Sequence, residues 1–190
     1  LINGACADEF LTPESAAICA RERAAGRAPV TMANAERAIL ARLRAMREED
    51  FAPFDGGGEG LYHRLYDAVQ RETTIDGILA AAKSKRYAYA RLRRLLLAAY
   101  LGVTPEDIPQ RVPYLRVLAC NARGREVLRC MKTTAAAPVL TRSADVRRLD
   151  AAAQRLFALT ARAEEQYVLA YPSLAAARPG SAWTTDPVIL

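Results

Sequence analysis

Apolar side chains recur at intervals of three and four residues along most of the chain, the spacing that buries one face of a helix. Capping residues and prolines divide this pattern into seven predicted helices, which start near Thr12, Thr31, Glu59, Thr74, Ser84, Asn121 and Ser143. Prolines interrupt the chain again from Pro172 onward. The pattern therefore predicts an all-α fold, a compact multi-helix domain with an irregular C-terminal tail.

The glycine run Gly56–Gly58 is the clearest predicted boundary inside the chain. It separates leading helices in residues 1–55 from a core helical domain in residues 56–171, and residues 172–190 form the predicted tail. The chain begins at Leu1 and not at methionine, so we expect it to be a piece of a longer protein.

The composition favours helices and argues against several classes of protein. Alanine and leucine supply much of the 52% hydrophobic content. The longest apolar run, Leu95–Val103, is far shorter than the roughly 20 residues that span a bilayer, so we expect no membrane partner. The four cysteines are widely spaced and form no CxxC pair, which predicts reduced thiols in a cytoplasmic protein and no metal site.

Positive charge exceeds negative charge, with 27 lysines and arginines against 21 acidic residues and a formal net charge of +6. Nearly all of the positive charge is arginine, whose planar fork of N–H donors suits phosphates and base edges. A polyanion is therefore a reasonable partner, although a modest excess of charge indicates this only weakly.

One segment concentrates this charge. On the predicted helix 85–101, Leu92 and Leu96 lie on the side that would face the core, and no acidic residue occurs between Asp76 and Glu106. Seven residues at the start and on the opposite side of this helix make up what we name the basic stripe: Lys83, Lys85, Arg86, Tyr87, Tyr89, Arg91 and Arg94.

Like charges at helical spacing repel one another unless something neutralises them. A phosphate chain would do so, and Tyr87 and Tyr89 offer rings on which an unpaired base could stack, so the basic stripe is predicted to contact RNA or DNA. Alternatively, acids from another segment, such as Glu48, Glu49 and Asp50, pair with these arginines and leave an ordinary protein surface. The residues alone leave both interpretations open.

A second basic group follows farther along the chain and could extend an RNA contact: Arg116, Arg123, Arg125 and Arg129. These residues alternate with apolar positions and could equally solvate a helix. We rank them below the basic stripe.

The sequence predicts no catalytic residue. His63 is the only histidine, and a single histidine without a partner is more often structural than a general base. Glu164 and Glu165 are adjacent on a helix, so their side chains diverge. No P-loop, GxGxxG, HExxH, nucleophile-elbow or HxGH-type motif occurs.

Four stretches resemble a known family in order and spacing: EGLYHR (59–64), KSKRYAYARLRRLLL (83–97), PYLRVLACNARGREVL (113–128) and APVLTR (137–142). They resemble the C-terminal half of the bacterial tRNA(Met) cytidine acetate ligases over about residues 9–170. Tyr89 stands where that family usually has tryptophan, which keeps an aromatic ring at this position.

The resemblance implies a parent enzyme that uses ATP to activate acetate and then acetylates the wobble cytidine of elongator tRNA(Met). In that family the ATP site lies in an N-terminal nucleotidyltransferase-like domain with an HxGH-type motif. We therefore expect this chain to lack that domain, to be inactive alone, to bind no cofactor itself, and to contribute tRNA binding and scaffold. Its expected partners are tRNA and the N-terminal domain.

Two other classes of function stay open. Residues 74–101 could form two helices around a tight turn, as in a stand-alone DNA-binding module. The arginines could also meet an acidic protein in a helical interaction domain.

Overall fold

The computed structural model describes residues 10–55 and 60–190. The helices in this part of the chain are α1 (Pro13–Ala24), α2 (Glu36–Arg44), α3 (Ala52–Asp55), α4 (Leu61–Arg71), α5 (Ile75–Ala82), α6 (Tyr89–Leu101), α7 (Ala122–Thr134), α8 (Ala151–Val168) and α9 (Ser181–Thr184). Short 3₁₀ turns occupy Glu48–Phe51, Pro105–Asp107, Ser143–Arg148 and Leu174–Ala176. The strands are β1 (Leu115–Arg116), β2 (Ala119–Cys120), β3 (Val139–Leu140) and β4 (Val188–Ile189).

Side-chain caps set three helix starts as predicted. Thr12 accepts the N–H of Ser15 at the start of α1. At the start of α5, the Thr74 side chain accepts the Gly77 N–H, and Asn121 caps α7 in the same way. In each case the side-chain oxygen satisfies an N–H group that has no partner inside the helix.

Two predicted starts are displaced because a local turn intervenes. Thr31 donates its backbone N–H to Asn34 Oδ1 over 3.0 Å, and the turn that results delays α2 until Glu36. Ser143 begins a 3₁₀ turn, and α8 starts only after Asp150, whose carboxylate accepts the Ala153 N–H over 2.8 Å.

Most of the buried apolar residues form one cluster, which we name the helical core. It is built by α2, the 3₁₀ turn at Glu48–Phe51, and helices α4, α5 and α6. Ile39, Phe51, Leu65 and Leu92 are among its fully buried side chains. Residues on both sides of the predicted boundary thus pack together, while Gly56–Gly58 themselves lie outside the described residues.

A smaller cluster lies in residues 114–190. We name this range of the chain the C-terminal unit. Phe157 of α8 is at its centre, with the ring centroid of Trp183 4.7 Å away and that of Tyr114 6.1 Å away. Val146 and Ala182 bury their side chains in the same cluster.

The prediction of an all-α fold with an irregular tail is wrong. β1 pairs in parallel with β3, and β2 pairs in parallel with β4, so Val188–Ile189 of the predicted tail joins a strand pair. Prolines at 113, 138 and 187 hold the residues before them out of the helical region. The extended segments that result satisfy their backbone groups by pairing with one another.

None of the helices in residues 10–55 and 60–190 is long and apolar enough to cross a bilayer.

Candidate nucleic-acid interface

The basic stripe spans the turn between α5 and α6 and the first turns of α6. Helix α5 ends at Ala82, and α6 begins only at Tyr89, four residues later than the predicted start near 85. Ala88 is the N-cap residue in an extended conformation and supplies no capping side chain. Residues 83–88 therefore form a connection whose side chains do not follow the helical wheel assumed from the sequence.

Within α6 the predicted division of faces is confirmed. Leu92, Leu95, Leu96 and Ala99 are buried in the helical core. Their burial fixes the rotation of α6 about its axis and directs Arg93 and Arg94 outward, where both are exposed. Arg93 was not among the predicted site residues. The run of basic residues signalled it, but the wheel drawn from residue 85 gave it no place in the basic stripe.

The two tyrosines of the basic stripe have opposite environments. Tyr87 is only 4% exposed and belongs to the helical core. The prediction that its ring lies on the surface is therefore wrong. The guanidinium carbons of Arg86 and Arg91 lie 5.8 Å and 5.4 Å from its ring centroid. Tyr89 is 44% exposed and therefore accessible to a base.

The remaining basic residues differ in how far they reach solvent. Lys85, Arg86 and Arg94 are exposed. Lys83 is half-buried, donates to the Ser84 carbonyl over 2.8 Å and lies 5.7 Å from the Tyr89 ring centroid. The Lys83 ammonium thus makes part of its contacts within the protein.

Asp55 is an acid that the sequence did not connect with the basic stripe. Its side chain is 2% exposed and its Oδ1 lies 3.6 Å from Nη2 of Arg91. Its Oδ2 accepts the backbone N–H of Tyr62 over 3.2 Å. Asp55 directly precedes a glycine run, and nothing in the sequence at this position signals burial.

The acids of another segment that were possible partners of the basic stripe contact other groups. Glu48 pairs with Nδ1 of His63, and Asp50 accepts the backbone N–H of Arg47 over 2.8 Å. Glu49 lies 3.8 Å from the Arg47 guanidinium. His63 thus has a structural contact that joins the 3₁₀ turn to α4.

The second basic group divides into an internal and an external part. Arg116 donates to Glu164 Oε1 over 3.2 Å and to the Ala182 carbonyl over 2.9 Å, and its guanidinium lies 5.3 Å from the Phe157 ring centroid. Arg116 therefore links segments of the C-terminal unit, contrary to the prediction that it extends an RNA contact. The other members are exposed on α7: Arg123, Arg125 and Arg129.

The neighbouring acids Glu164 and Glu165 diverge as predicted. Glu164 accepts from Arg116 and Ser181, whereas Glu165 Oε1 accepts the Gly180 N–H over 2.7 Å. No group of three or more His, Cys, Asp and Glu residues in the described part of the chain could hold a metal ion.

A largely apolar cavity of about 490 Å³ lies between the loop before α2, α6 and α8. Tyr100 donates to Gln166 Oε1 over 2.7 Å at its wall. Burial raises the pKa of Tyr100 above its usual value, which keeps the hydroxyl protonated as a donor.

Comparison with known proteins identifies relatives along nearly the whole chain. The family model described as HIGH Nucleotidyl Transferase matches residues 3–180. A tRNA(Met) cytidine acetate ligase of Syntrophomonas wolfei subsp. wolfei is 28% identical over 187 residues, which are 94% of this chain and 45% of the relative. The corresponding ligase of Acetivibrio thermocellus is 26% identical over 178 residues, 89% of this chain and 42% of the relative.

Solved structures of Thermotoga maritima TmcAL share the fold. The apo structure in form I has a TM-score of 0.88 at 25% identity and covers 95% of this chain and 46% of its own. The structure bound with alpha-thio ATP, form II, has a TM-score of 0.89 at 25% identity, and the match covers 95% of this chain and 47% of the T. maritima chain. The chain thus spans about half the length of these relatives.

These findings contradict one expectation and give no support to two others. The family match and the TmcAL structures indicate an α/β nucleotidyltransferase-type fold, in agreement with the parallel strand pairs and against an all-α domain. The match over residues 3–180 gives no support to a chain that lacks the nucleotidyltransferase part and meets it as a separate partner. The relative solved with alpha-thio ATP likewise gives no support to the expectation that this chain binds no cofactor. The chain belongs to the HIGH nucleotidyl transferase family.

Proposed function

We propose that this chain contributes to the activity of a tRNA(Met) cytidine acetate ligase and that its basic stripe binds the tRNA substrate. The observation that carries the proposal is the exposed cationic cluster at the start of α6. Arg86, Arg94 and the ring of Tyr89 are exposed there, and no acid occurs in the sequence between residues 76 and 106. The names of the relatives supply the reaction.

The residues divide into two kinds of contact. Lys85, Arg86 and Arg94, together with Arg93, reach solvent on long side chains and are suited to tRNA phosphates. Tyr89 presents a ring on which an unpaired base or a ribose can pack. Tyr87 supports the surface from below, since it is buried beside Arg86 and Arg91.

The proposed chemistry is that of the family which the sequence resembles. Acetate displaces pyrophosphate from ATP to give acetyl adenylate, and the acetyl group then passes to the wobble cytidine of elongator tRNA(Met) with release of AMP. The T. maritima structure bound with alpha-thio ATP supports ATP as the nucleotide. tRNA is a cytoplasmic substrate, so the predicted cytoplasmic location belongs to this proposal. Inactivity of the chain alone stays a prediction.

The first experiment measures the affinity of the purified chain for elongator tRNA(Met), an unrelated tRNA and duplex DNA across a salt titration. Salt-sensitive binding with a preference for tRNA supports the proposal. A preference for duplex DNA would favour the DNA-binding alternative, for which α5, the 83–88 turn and α6 are the candidate helix-turn-helix. Absence of tRNA binding at low salt contradicts the proposal.

Paired variants test where the phosphates bind. Changing Arg93 and Arg94 to glutamine should lower the slope of log affinity against log salt by roughly 0.7 to 0.9 for each phosphate that is no longer neutralised. The matched control changes Arg147 and Arg148 to glutamine, another adjacent and exposed pair, which lies in the C-terminal unit. An equal effect of the two pairs would assign the binding to net charge alone. Adding ATP and acetate to the same samples measures acetylation by this chain.

A further inference from the structure

The Asp55 carboxylate connects three helices beneath the basic stripe. It stands at the end of α3, its Oδ2 accepts the Tyr62 N–H in the first turn of α4, and its Oδ1 faces Arg91 in the first turn of α6. The Oδ1 atom is buried and has no hydrogen-bond partner, because the 3.6 Å to Arg91 Nη2 is too long for one. The contact between Asp55 Oδ1 and Arg91 is thus an ion pair without a hydrogen bond.

Asp55 and Tyr87 both contact Arg91, whose side chain still reaches the surface. Asp55 faces one end of its guanidinium, and the Tyr87 ring centroid lies 5.4 Å from the guanidinium carbon. The Arg91 side chain keeps 37% of its exposure. A guanidinium carries five N–H donors and can contact more than one anion, and this side chain reaches solvent.

A recess of about 230 Å³ opens at this place. Asp55, Arg91 and Arg94 line it together with apolar side chains that include Leu95 and Ile108. A phosphate that enters the recess would meet Arg91 and Arg94 together, since residues three apart on a helix are neighbours.

We propose that Asp55 is a positioning residue for tRNA binding. It fixes the Arg91 guanidinium at the edge of the recess, so that the fork of N–H donors is already oriented when a tRNA phosphate arrives. This inference rests on the proposed function. It predicts that an acid on a phosphate-binding surface strengthens binding, because orienting the arginine outweighs the repulsion of a buried and paired carboxylate.

The Asp55→Asn substitution separates positioning from simple charge. Removing a negative charge should tighten tRNA binding if charge alone matters, whereas loss of the oriented fork should weaken it by roughly two- to tenfold. The slope of affinity against salt should stay unchanged, since Arg91 keeps its charge. In an Arg91→Gln background, Asp55→Asn should have no further effect on affinity.

The matched control is Asp67→Asn, which removes an exposed acid of α4 that pairs with Arg71 over 3.3 Å. Binding is compared at a temperature where circular dichroism shows every variant to be folded. Arg91→Lys is a second route if Asp55→Asn does not fold, because it keeps the charge and loses the fork; it should weaken binding without a change of slope.

Binding by Asp55→Asn as tight as that of the unaltered chain, or tighter, would overturn the role of Asp55 while leaving the proposed function intact. Where Asp55→Asn does not fold, unaltered affinity of Arg91→Lys has the same meaning. Absence of salt-sensitive tRNA binding by the unaltered chain overturns both proposals.

Discussion

The helical core and the C-terminal unit reach their packing by different means. In the helical core, α2, α4, α5 and α6 bury aliphatic side chains such as Leu61, Leu65 and Leu92 against one another. In the C-terminal unit, α7 buries none of its residues, and the cluster depends on Phe157 and on segments far apart in the chain.

In the C-terminal unit, polar contacts also link distant segments. Arg116 joins β1 to α8 through Glu164 and to α9 through the Ala182 carbonyl. The C-terminal unit also leaves large apolar side chains exposed, with Leu118 at 71% and Leu190 at 79%. The helical core buries its apolar side chains between several helices, whereas the C-terminal unit has a smaller cluster centred on Phe157. We therefore expect single substitutions to affect the two regions unequally.

Phe157→Ala should have the largest effect and should act on the C-terminal unit. Removing the ring deletes packing against Trp183 and Tyr114 and should cost about 3–5 kcal/mol of the free energy of unfolding. Urea unfolding followed by fluorescence reports on this unit, because Trp183 is the only tryptophan of the chain. Leu174→Ala, at a side chain 72% exposed, is the control. Equal midpoints for the two variants would contradict the central place of Phe157.

Leu65→Ala tests the helical core. Leu65 is fully buried on α4, so the substitution leaves a cavity and should lower the free energy of unfolding by about 2–5 kcal/mol. Far-UV circular dichroism during urea unfolding measures it. Val127→Ala, on the uncovered helix α7 at 58% exposure, should stay within about 0.5 kcal/mol of the unaltered chain. A large cost for Val127→Ala would mean that α7 is covered in solution.

Arg116→Gln should have a smaller effect, confined to stability. It removes the hydrogen bonds to Glu164 and to the Ala182 carbonyl, which together contribute about 1–3 kcal/mol. Arg129→Gln on the exposed face of α7 is the matched control for unfolding. A lower salt slope of tRNA binding in Arg116→Gln would instead restore Arg116 to the RNA track predicted from the sequence.

The smallest predicted effect lies outside both regions, at the end of α1. Hydrogen bonds and charge from Arg27, and then Arg21, lower the pKa of Glu22 from 4.5 to about 2. A lowered pKa in the folded state gives a stabilisation that is complete above about 4.5 and is lost as the pH falls towards about 2. An NMR titration of the Glu22 carboxyl measures this directly.

Glu22→Gln should remove the contribution of this carboxyl to the acid dependence of stability, and Glu14→Gln, at an exposed acid on the same helix, should keep it. Because Glu22 lies at the surface, the effect on the melting temperature should be slight. A Glu22 carboxyl that titrates at its usual pKa would show that the Arg27 contact does not persist in solution.

Local chemistry made part of the structure predictable. Thr12, Thr74 and Asn121 cap helices where the sequence placed them, because a cap needs only the residues that follow it. The buried face of α6 was predicted for the same reason. The start of α6 was misplaced, since Ser84 was expected to cap and instead leaves its buried hydroxyl without a hydrogen-bond partner.

The candidate site was only partly predictable. The absence of acids between Asp76 and Glu106 is a property of the sequence, and it predicts the exposed face of α6 as the candidate surface. The burial of Tyr87 and the contact of Asp55 with Arg91 depend on how α3, α4 and α6 meet, which no spacing along the chain encodes.

The sequence by itself determined the helical periodicity, the caps and the concentration of positive charge between residues 77 and 105, because each depends on neighbours within a few residues. Only the tertiary structure decided that β1 pairs with β3 and β2 with β4, and that Arg116 turns inward. A strand of two residues has no periodicity of its own, and its hydrogen-bond partners come from distant segments, so its formation depends on the packing that brings those segments together.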